Sequence, residues 1–321
     1  MARFKVLLTD YAWSDVDVES QLLGEIDAEL VVAENQDAAE LVRLVKDVDG
    51  IMTCWAHVSA EVINAALKCR VISRLGVGLD NIDVDLATRR RIVVTNVPDY
   101  CVTEVAEHTL ALILALGRNI AFYHQQTKSG QYDLNAGPPL RRLHGQTLGI
   151  MGLGRIGREV ARRGMALGLK VIAGSHAHGC ALDGVKWRQV QQLLSESDFV
   201  SLHLPLREAT RRLMGEAEFA QMKPTAFLIN TARGGLVDHQ ALATALATGQ
   251  IAGAALDVHE PEPPDLSKPP WNDPRVIVTP HAAFASWESL LELRQRATHN
   301  LIDVLSDRKP ANVVNPSVLK E

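Results

Sequence analysis

The sequence predicts an α/β protein whose parallel sheets are divided between two domains, and three observations carry that prediction. The chain has 321 residues, 47% of them apolar, which is enough to fill two cores at ~150 residues per domain. Short apolar runs alternate with segments whose apolar residues recur at helical spacing, the pattern of strands joined by crossover helices. Near the middle, Thr147-Leu148-Gly149-Ile150-Met151 runs directly into Gly152-Leu153-Gly154-Arg155-Ile156-Gly157, and a periodic helical segment follows. Strand, glycine turn and helix in that order form a Rossmann dinucleotide-binding fingerprint. The first glycine permits the tight turn, the second lets a pyrophosphate come against bare backbone, and the third lets helix and strand pack closely. The phosphates would rest on the helix N-terminus, where N–H groups and the helix dipole favour negative charge.

Composition excludes several classes of partner. A net charge of −5 leaves no basic footprint for nucleic acid, and the basic clusters at Arg89-Arg90-Arg91 and Arg211-Arg212 are too short to supply one. The four cysteines lack C-x-x-C spacing, so neither a zinc site nor a redox pair is expected and no metal is implied. Reduced thiols, together with an N-terminus that lacks a signal-peptide core, point to the cytoplasm. The most apolar stretch, 109–117, is too short to span a membrane.

Taken in order, apolar runs at 4–9, 29–33, 50–54, 71–74 and 92–95 read as strands. Helical faces lie between them at 37–46 and at 59–67, the latter opening on a Ser cap. This first α/β unit has no phosphate turn. Instead Arg74-Leu75-Gly76-Val77-Gly78-Leu79-Asp80-Asn81 forms a glycine-bearing turn at the C-terminal end of a strand, where open sheets bind ligands. A long helix at 101–117 follows Pro98, and the polar segment 118–144 reads as a domain-crossing arm or a subunit contact. Beyond the fingerprint come a helix at 159–168 and strands at 169–173, 198–204, 226–230, 251–257 and 276–279. Helices at 238–248 and 286–305 complete the pattern, and six prolines mark 260–274 as an extended loop.

Three polar residues follow buried runs in this second half: Arg233 in NTARGGLVD, Glu262 in DVHEPEPP and His281 in TPHAAFAS. A carboxylate beside a histidine raises imidazole basicity and fixes its tautomer, and a guanidinium grips a carboxylate through two parallel hydrogen bonds. Such groups are what reduction of a 2-oxo acid by a nicotinamide cofactor requires: an arginine to hold the substrate, a histidine to donate the proton and a glutamate behind it.

The blocks VISRLGVGLDNID, NVPDYCVTEVAEHTLALIL, LGIMGLGRIG, INTARGGLVD, AALDVHEPEP and VTPHAAFAS resemble, in order, those of the D-isomer-specific 2-hydroxyacid dehydrogenase family. The resemblance implies a Rossmann dinucleotide-binding domain at 101–286 and a flavodoxin-like substrate domain formed by 1–100 and 287–321. It implies an NAD(P)-dependent enzyme that interconverts a small 2-oxo acid and the D-2-hydroxy acid. Arg233, Glu262 and His281 match the family's catalytic trio, with Glu262 chosen over Glu260 because it directly precedes Pro263. Val77 and Gly78 match the amides that hold the substrate carboxylate, Thr210 a cofactor-phosphate contact and Asp257 a partner of the nicotinamide carboxamide. A homodimer is implied as well.

Within the family, AALDVHEPEP and TPHAAF look most like the C-terminal-binding-protein co-repressors and their bacterial relatives. A cofactor-sensing interaction protein is therefore the alternative to a plain enzyme. On either reading Trp55 and Phe284 are candidates to line the substrate pocket. One departure bears on the cofactor. Members that use NAD carry an acid at the end of the second Rossmann strand, ~20 residues past the fingerprint, to bind the ribose hydroxyls. Here Ser175 stands in that place, followed by His176, which removes the repulsion toward a 2′-phosphate and points to NADP ahead of NAD. His57, His108, His124, His203, His239, His259 and His299 are read as structural or exposed.

Overall fold

The computed structural model describes residues 2–174 and 182–319. They fall into two compact units, Met1–Tyr100 with Ser286–Glu321, and Cys101–Ala285. The first alternates β1 (Phe4–Leu8), α1 (Asp17–Gly24), β2 (Ala28–Val32), α2 (Ala38–Leu44), β3 (Gly50–Thr53), α3 (Ala60–Ala65), β4 (Val71–Arg74), α4 (Val84–Arg89) and β5 (Val93–Thr95). Its sheet runs β2-β1-β3-β4-β5, every neighbour parallel, which is flavodoxin-like order. β3 and β4 are buried along their whole length because helices cover both faces, and the polar Thr53 and Ser73 within them are hydrogen-bonded to the Ala56 and Ala297 carbonyls.

The order reverses between β1 and β3, so the loops after these two strands flank the crevice of this sheet. Asp10 ties the loops together. Its buried carboxylate accepts the N–H groups of Cys54 (2.9 Å) and Trp55 (2.6 Å) and the Thr9 hydroxyl (2.8 Å).

The second unit contains α5 (Val102–Gly117), α6 (Ile120–Lys128), β6 (Thr147–Met151), α7 (Arg155–Ala166), β7 (Lys170–Gly174), β8 (Lys186–Trp187) and α8 (Val190–Glu196). It continues with β9 (Phe199–Leu202), α9 (Glu216–Phe219), β10 (Phe227–Asn230), α10 (His239–Ala247), β11 (Gly253–Leu256) and β12 (Val276–Val278). The parallel sheet has the Rossmann order β12-β11-β10-β9-β6-β7-β8, reversing between β6 and β9. Its core includes fully buried Leu148, Ile150 and Ile229 beside a stacked pair, Phe199 and Phe227, 5.6 Å apart.

Helix α11 (Trp287–Leu305) returns to the first unit. Ser286, placed at the end of the second domain by the sequence, belongs with the first unit, where its hydroxyl accepts the Ser289 N–H (2.9 Å) and caps α11. Arg294 of this helix makes an ion pair with the wholly buried Glu19 of α1 (2.8 Å) and also reaches the Asp15 carboxylate (2.9 Å).

Helix α6 was not anticipated, because none of its residues is buried and it therefore leaves no apolar stripe. Two-residue β8 is too short to leave a periodic signal. Ser59 stands at the N-cap of α3, but its side chain makes no cap bond. Helix α7 starts at Arg155, directly on the glycine turn and earlier than its apolar periodicity suggests. Cys54, Cys69 and Cys101 are buried, and burial pushes the thiols of Cys54 and Cys69 up to about 12, so these two carry no thiolate chemistry at neutral pH. Cys180 lies outside the described residues. Among the described residues no single helix is long and apolar enough to cross a membrane, and no group of three or more His, Cys, Asp or Glu is placed to hold a metal ion.

Removing one partner of a buried ion pair strands the other charge, a loss of about 3–5 kcal/mol. Arg294→Met is expected to lower unfolding stability by that order in denaturant titration, and adding Glu19→Met is expected to restore most of it.

Candidate active site

The three glycines of the fingerprint have separate jobs in the structure. Gly152 has φ +99°, and a Cβ there would lie 2.5 Å from the His203 carbonyl oxygen, so only glycine makes this turn. Gly157 packs its Cα face on the Gly152 carbonyl, where a Cβ would stand 2.1 Å from the oxygen. Gly154 differs from both: nothing lies within 4 Å of its Cβ position, and it is the N-cap of α7 without a side-chain cap bond. The result is an open cradle at the N-terminus of a 12-residue helix, with Arg155 exposed and Ile156 half-buried on its first turn. Backbone donors on an uncapped N-terminus fit a dinucleotide pyrophosphate. Across the sheet's reversal point lies the loop after β9. Here the Thr210 hydroxyl donates to the Pro205 carbonyl (2.7 Å) and accepts the Arg207 N–H (2.8 Å), which folds the loop back on itself.

Arg233, Glu262 and His281 lie beyond the C-terminal ends of β10, β11 and β12. Arg233 follows β10 on a turn organised by fully buried Asn230, which accepts the Ala232 N–H (3.0 Å) and donates to the Arg233 carbonyl (2.8 Å). Gly234 then presses onto the chain after β11, so closely that a Cβ would lie 2.1 Å from the carbonyl carbon and oxygen of His259. This backbone contact brings the arginine turn to the segment that carries Glu262.

Glu262 and His281 are paired directly, His281 Nδ1 standing 2.8 Å from Glu262 Oε2. The second carboxylate oxygen accepts the His259 N–H (2.8 Å). Burial pushes the Glu262 carboxyl up, but the hydrogen bond and charge of His281 and the His259 N–H outweigh it, and the group titrates below the ordinary 4.5. An ionised carboxylate can only accept, so the proton between the pair belongs to Nδ1. Phe284 meets the His281 ring edge to face, 5.9 Å between centroids.

Asp257 shapes the loop that carries the histidine. It is fully buried, and Oδ1 accepts the Thr279 hydroxyl (2.6 Å) and the Ala282 N–H (2.9 Å) while Oδ2 accepts the Ala283 N–H (2.9 Å). Its backbone carbonyl takes the His281 N–H (2.8 Å). The loop thus wraps one aspartate, and His281 is held at φ +54°, the left-handed region that a histidine rarely enters. The resemblance offers Asp257 as a nicotinamide partner, and the structure adds this internal set of bonds.

In the first unit, Val77 and Gly78 lie on the turn after β4, which Asn96 holds by donating to the Val77 carbonyl (2.9 Å). Trp55 is half-buried on the loop after β3. Ser175 and His176 lie outside the described residues. Of the histidines read as structural or exposed, His259 is buried, and His108 has Nε2 3.2 Å from the Thr279 hydroxyl. Burial pushes His203 down to about 4, so it is neutral at physiological pH. Asn230 and Thr279 are not singled out in the sequence, and His259 is read there only as structural or exposed, although each is a polar residue at or just beyond the C-terminal end of a buried strand.

The second and third glycines permit a test. Gly154→Asp fills open space with a negative charge and is expected to weaken NAD(P)H binding at least tenfold in calorimetry, with the melting temperature kept. Gly157→Ala is expected to lower the melting temperature as well, since its methyl meets backbone.

Residues 110–283 match the model of the D-isomer specific 2-hydroxyacid dehydrogenase NAD binding domain. The chain is 39% identical to the glyoxylate reductase of Aeropyrum pernix over 290 residues, 87% of each chain. An NADPH-dependent glyoxylate/hydroxypyruvate reductase from Sinorhizobium meliloti, solved with NADP and malonate, is 30% identical with a TM-score of 0.87, covering 98% of this chain and 97% of that one. A D-lactate dehydrogenase from Aquifex aeolicus, solved with NAD and lactic acid, is 28% identical with a TM-score of 0.87, covering 97% and 99%. These relatives are enzymes, which does not favour the co-repressor-like alternative. The chain therefore belongs to the D-isomer-specific 2-hydroxyacid dehydrogenases and is an NAD(P)-dependent oxidoreductase of 2-oxo acids.

Proposed function

We propose that this protein reduces glyoxylate, hydroxypyruvate or a similarly small 2-oxo acid to the D-2-hydroxy acid, with Arg233, Glu262 and His281 as its catalytic residues. The observation that carries the proposal is the His281–Glu262 pair at 2.8 Å, set at the strand ends of a sheet whose glycine turn fits a dinucleotide. When bound, the nicotinamide supplies a hydride to the substrate's C2. His281 delivers the proton. Its Nδ1–H is committed to Glu262, so Nε2 is the nitrogen that gives a proton to the developing alkoxide, and the ionised Glu262 stabilises the imidazolium beforehand. Arg233 places a fixed positive charge by the reacting oxygen and the substrate carboxylate. The amides of Val77 and Gly78 are the donors that the family resemblance offers for a substrate carboxylate. With a quarter of its side chain exposed, His281 is open to reprotonation from water between turnovers.

Gly152, Gly154, Arg155, Ile156 and Gly157 would hold the pyrophosphate, Thr210 would make a further phosphate contact, and Asp257 is the residue that the resemblance offers to the carboxamide. NADP is favoured over NAD because Ser175 replaces the acid that would repel a 2′-phosphate, a reading supported by the NADP-bound relative and balanced by the NAD-bound one. The unit built from 101–285 takes the cofactor, and the one from 1–100 and 286–321 carries the substrate loops. A homodimer is supported by α6, which has no buried residue, and by Ile120, Tyr132 and Leu134 after α5, exposed at 56%, 93% and 74%. Sedimentation is expected to give twice the chain mass.

A panel of glyoxylate, hydroxypyruvate, pyruvate and phenylpyruvate assayed with NADPH and with NADH tests the assignment. The highest kcat/KM is expected for the two smallest hydroxylated or unsubstituted acids with NADPH. His281→Ala and Arg233→Ala are each expected to lower kcat by about 10²–10⁴ while the dinucleotide Kd stays within about twofold. Normal turnover in both variants sinks the mechanism. The depressed pKa of Glu262 also sets a pH window, since its contribution to folding is present above the ordinary value of 4.5 and lost as pH falls through the lower folded value. In urea titrations the stability difference between wild type and Glu262→Gln is expected to be constant above 4.5 and to shrink below it.

A further inference from the structure

Glu262 and His281 come from different segments, and their pairing distance must be set by something that spans both. Glu262 lies between Pro261 and Pro263 on an irregular strap with no strand to hold it. His281 lies on the loop after β12. One residue reaches both segments, its main chain on one side and its ring on the other. His259, buried to 7% exposure, gives its backbone N–H to Glu262 Oε1 (2.8 Å), and its ring Nε2 stands 3.0 Å from the Thr279 carbonyl oxygen. Its other ring nitrogen, Nδ1, is 3.0 Å from Trp271 Nε1.

Chemistry decides the protonation of that ring. An indole N–H only donates, so Nδ1 must present its lone pair and the proton must sit on Nε2. Nε2–H then donates to the Thr279 carbonyl. With Trp271 in place the ring is locked in one neutral tautomer and one orientation. The hydrogen bonds make a closed circuit: His259 N–H to Glu262, Glu262 to His281 Nδ1, along the chain through Pro280 to Thr279, and from the Thr279 carbonyl back to the His259 ring. His239 packs against the indole at 5.0 Å between centroids and fixes the tryptophan in turn.

We propose that His259, locked by Trp271, is a positioning residue for proton transfer, holding the Glu262 strap and the His281 loop at the separation that pairs them. It touches neither substrate nor cofactor in this assignment, which rests on the reading of His281 and Glu262 as the proton-donating pair. Phenylalanine at this position would fill the space without closing the circuit. Glutamine can return a donor near the Nε2 position, and asparagine an acceptor near Nδ1.

The test compares His259→Phe, His259→Gln, Trp271→Phe and His281→Ala in the full chain, with NADPH and glyoxylate. For His259→Phe, kcat is expected to fall at least tenfold while the glyoxylate KM and the NADPH Kd stay within about twofold. His259→Gln is expected to recover at least a third of the lost rate, and Trp271→Phe to lose a few-fold in kcat alone. Long-range proton–nitrogen NMR is expected to show the Nε2–H tautomer in wild type and a tautomer mixture in Trp271→Phe, which keeps the proposal testable if His259→Phe folds poorly. An unchanged kcat in His259→Phe, a loss confined to KM, a glutamine no better than phenylalanine, or an Nδ1–H tautomer in wild type would each overturn it. A His281→Ala variant with normal turnover would instead bring down the underlying site assignment, and the two failures are thereby told apart.

Discussion

Everything at the chemical end of the second unit depends on one buried carboxylate. Asp257 ends a strand that is buried on both faces, and in that setting an ionised side chain is costly unless donors surround it. The donors come from the loop that must carry His281: two successive backbone N–H groups and a threonine hydroxyl, with a third N–H taken by the aspartate's own carbonyl. Satisfying the charge and shaping the loop are therefore the same event. The unusual backbone of His281 follows from it, because three consecutive amides cannot converge on one residue along an extended chain.

The glycines complete the arrangement by letting segments approach where side chains would hold them apart. Gly157 on the Gly152 carbonyl sets the spacing of helix and strand, and Gly234 on the His259 carbonyl sets the spacing of the arginine turn and the acidic strap. Apolar burial supplies the bulk of the stability, yet it does not specify these distances. Backbone contact and charge do.

The alternation of apolar runs and helical faces made the strands and most crossover helices legible, because parallel strands covered on both sides are almost purely apolar. The glycine turn was legible for the same physical reason that it exists: few other residues tolerate its conformation or its close contacts. Helix α6 was not, since a helix with no buried face leaves no stripe to read. At the site, Arg233, Glu262 and His281 stood out as polar residues after buried runs and through their resemblance to known blocks. Asn230, His259 and Thr279 were equally polar and equally placed, but their partners lie far away in sequence or on the main chain. A hydrogen bond to a carbonyl leaves no mark in the composition of the donor's neighbours. The internal role of Asp257 was hidden in the same way, because a buried acid and a ligand-binding acid look identical in one dimension.

Asp10 repeats in the first unit the device seen at Asp257: a buried aspartate after a strand accepts two consecutive amides of another loop and a threonine hydroxyl. Loops anchored in this way are held from beneath by their main chain. Trp55 and Phe284 are half-buried side chains on those same loops. On the reading of both as pocket-lining residues, replacing them would alter the shape and polarity presented to a ligand, with the backbone beneath still held by its aspartate. Such a scaffold can change its diet without rebuilding its frame, and selection can explore new acids one side chain at a time.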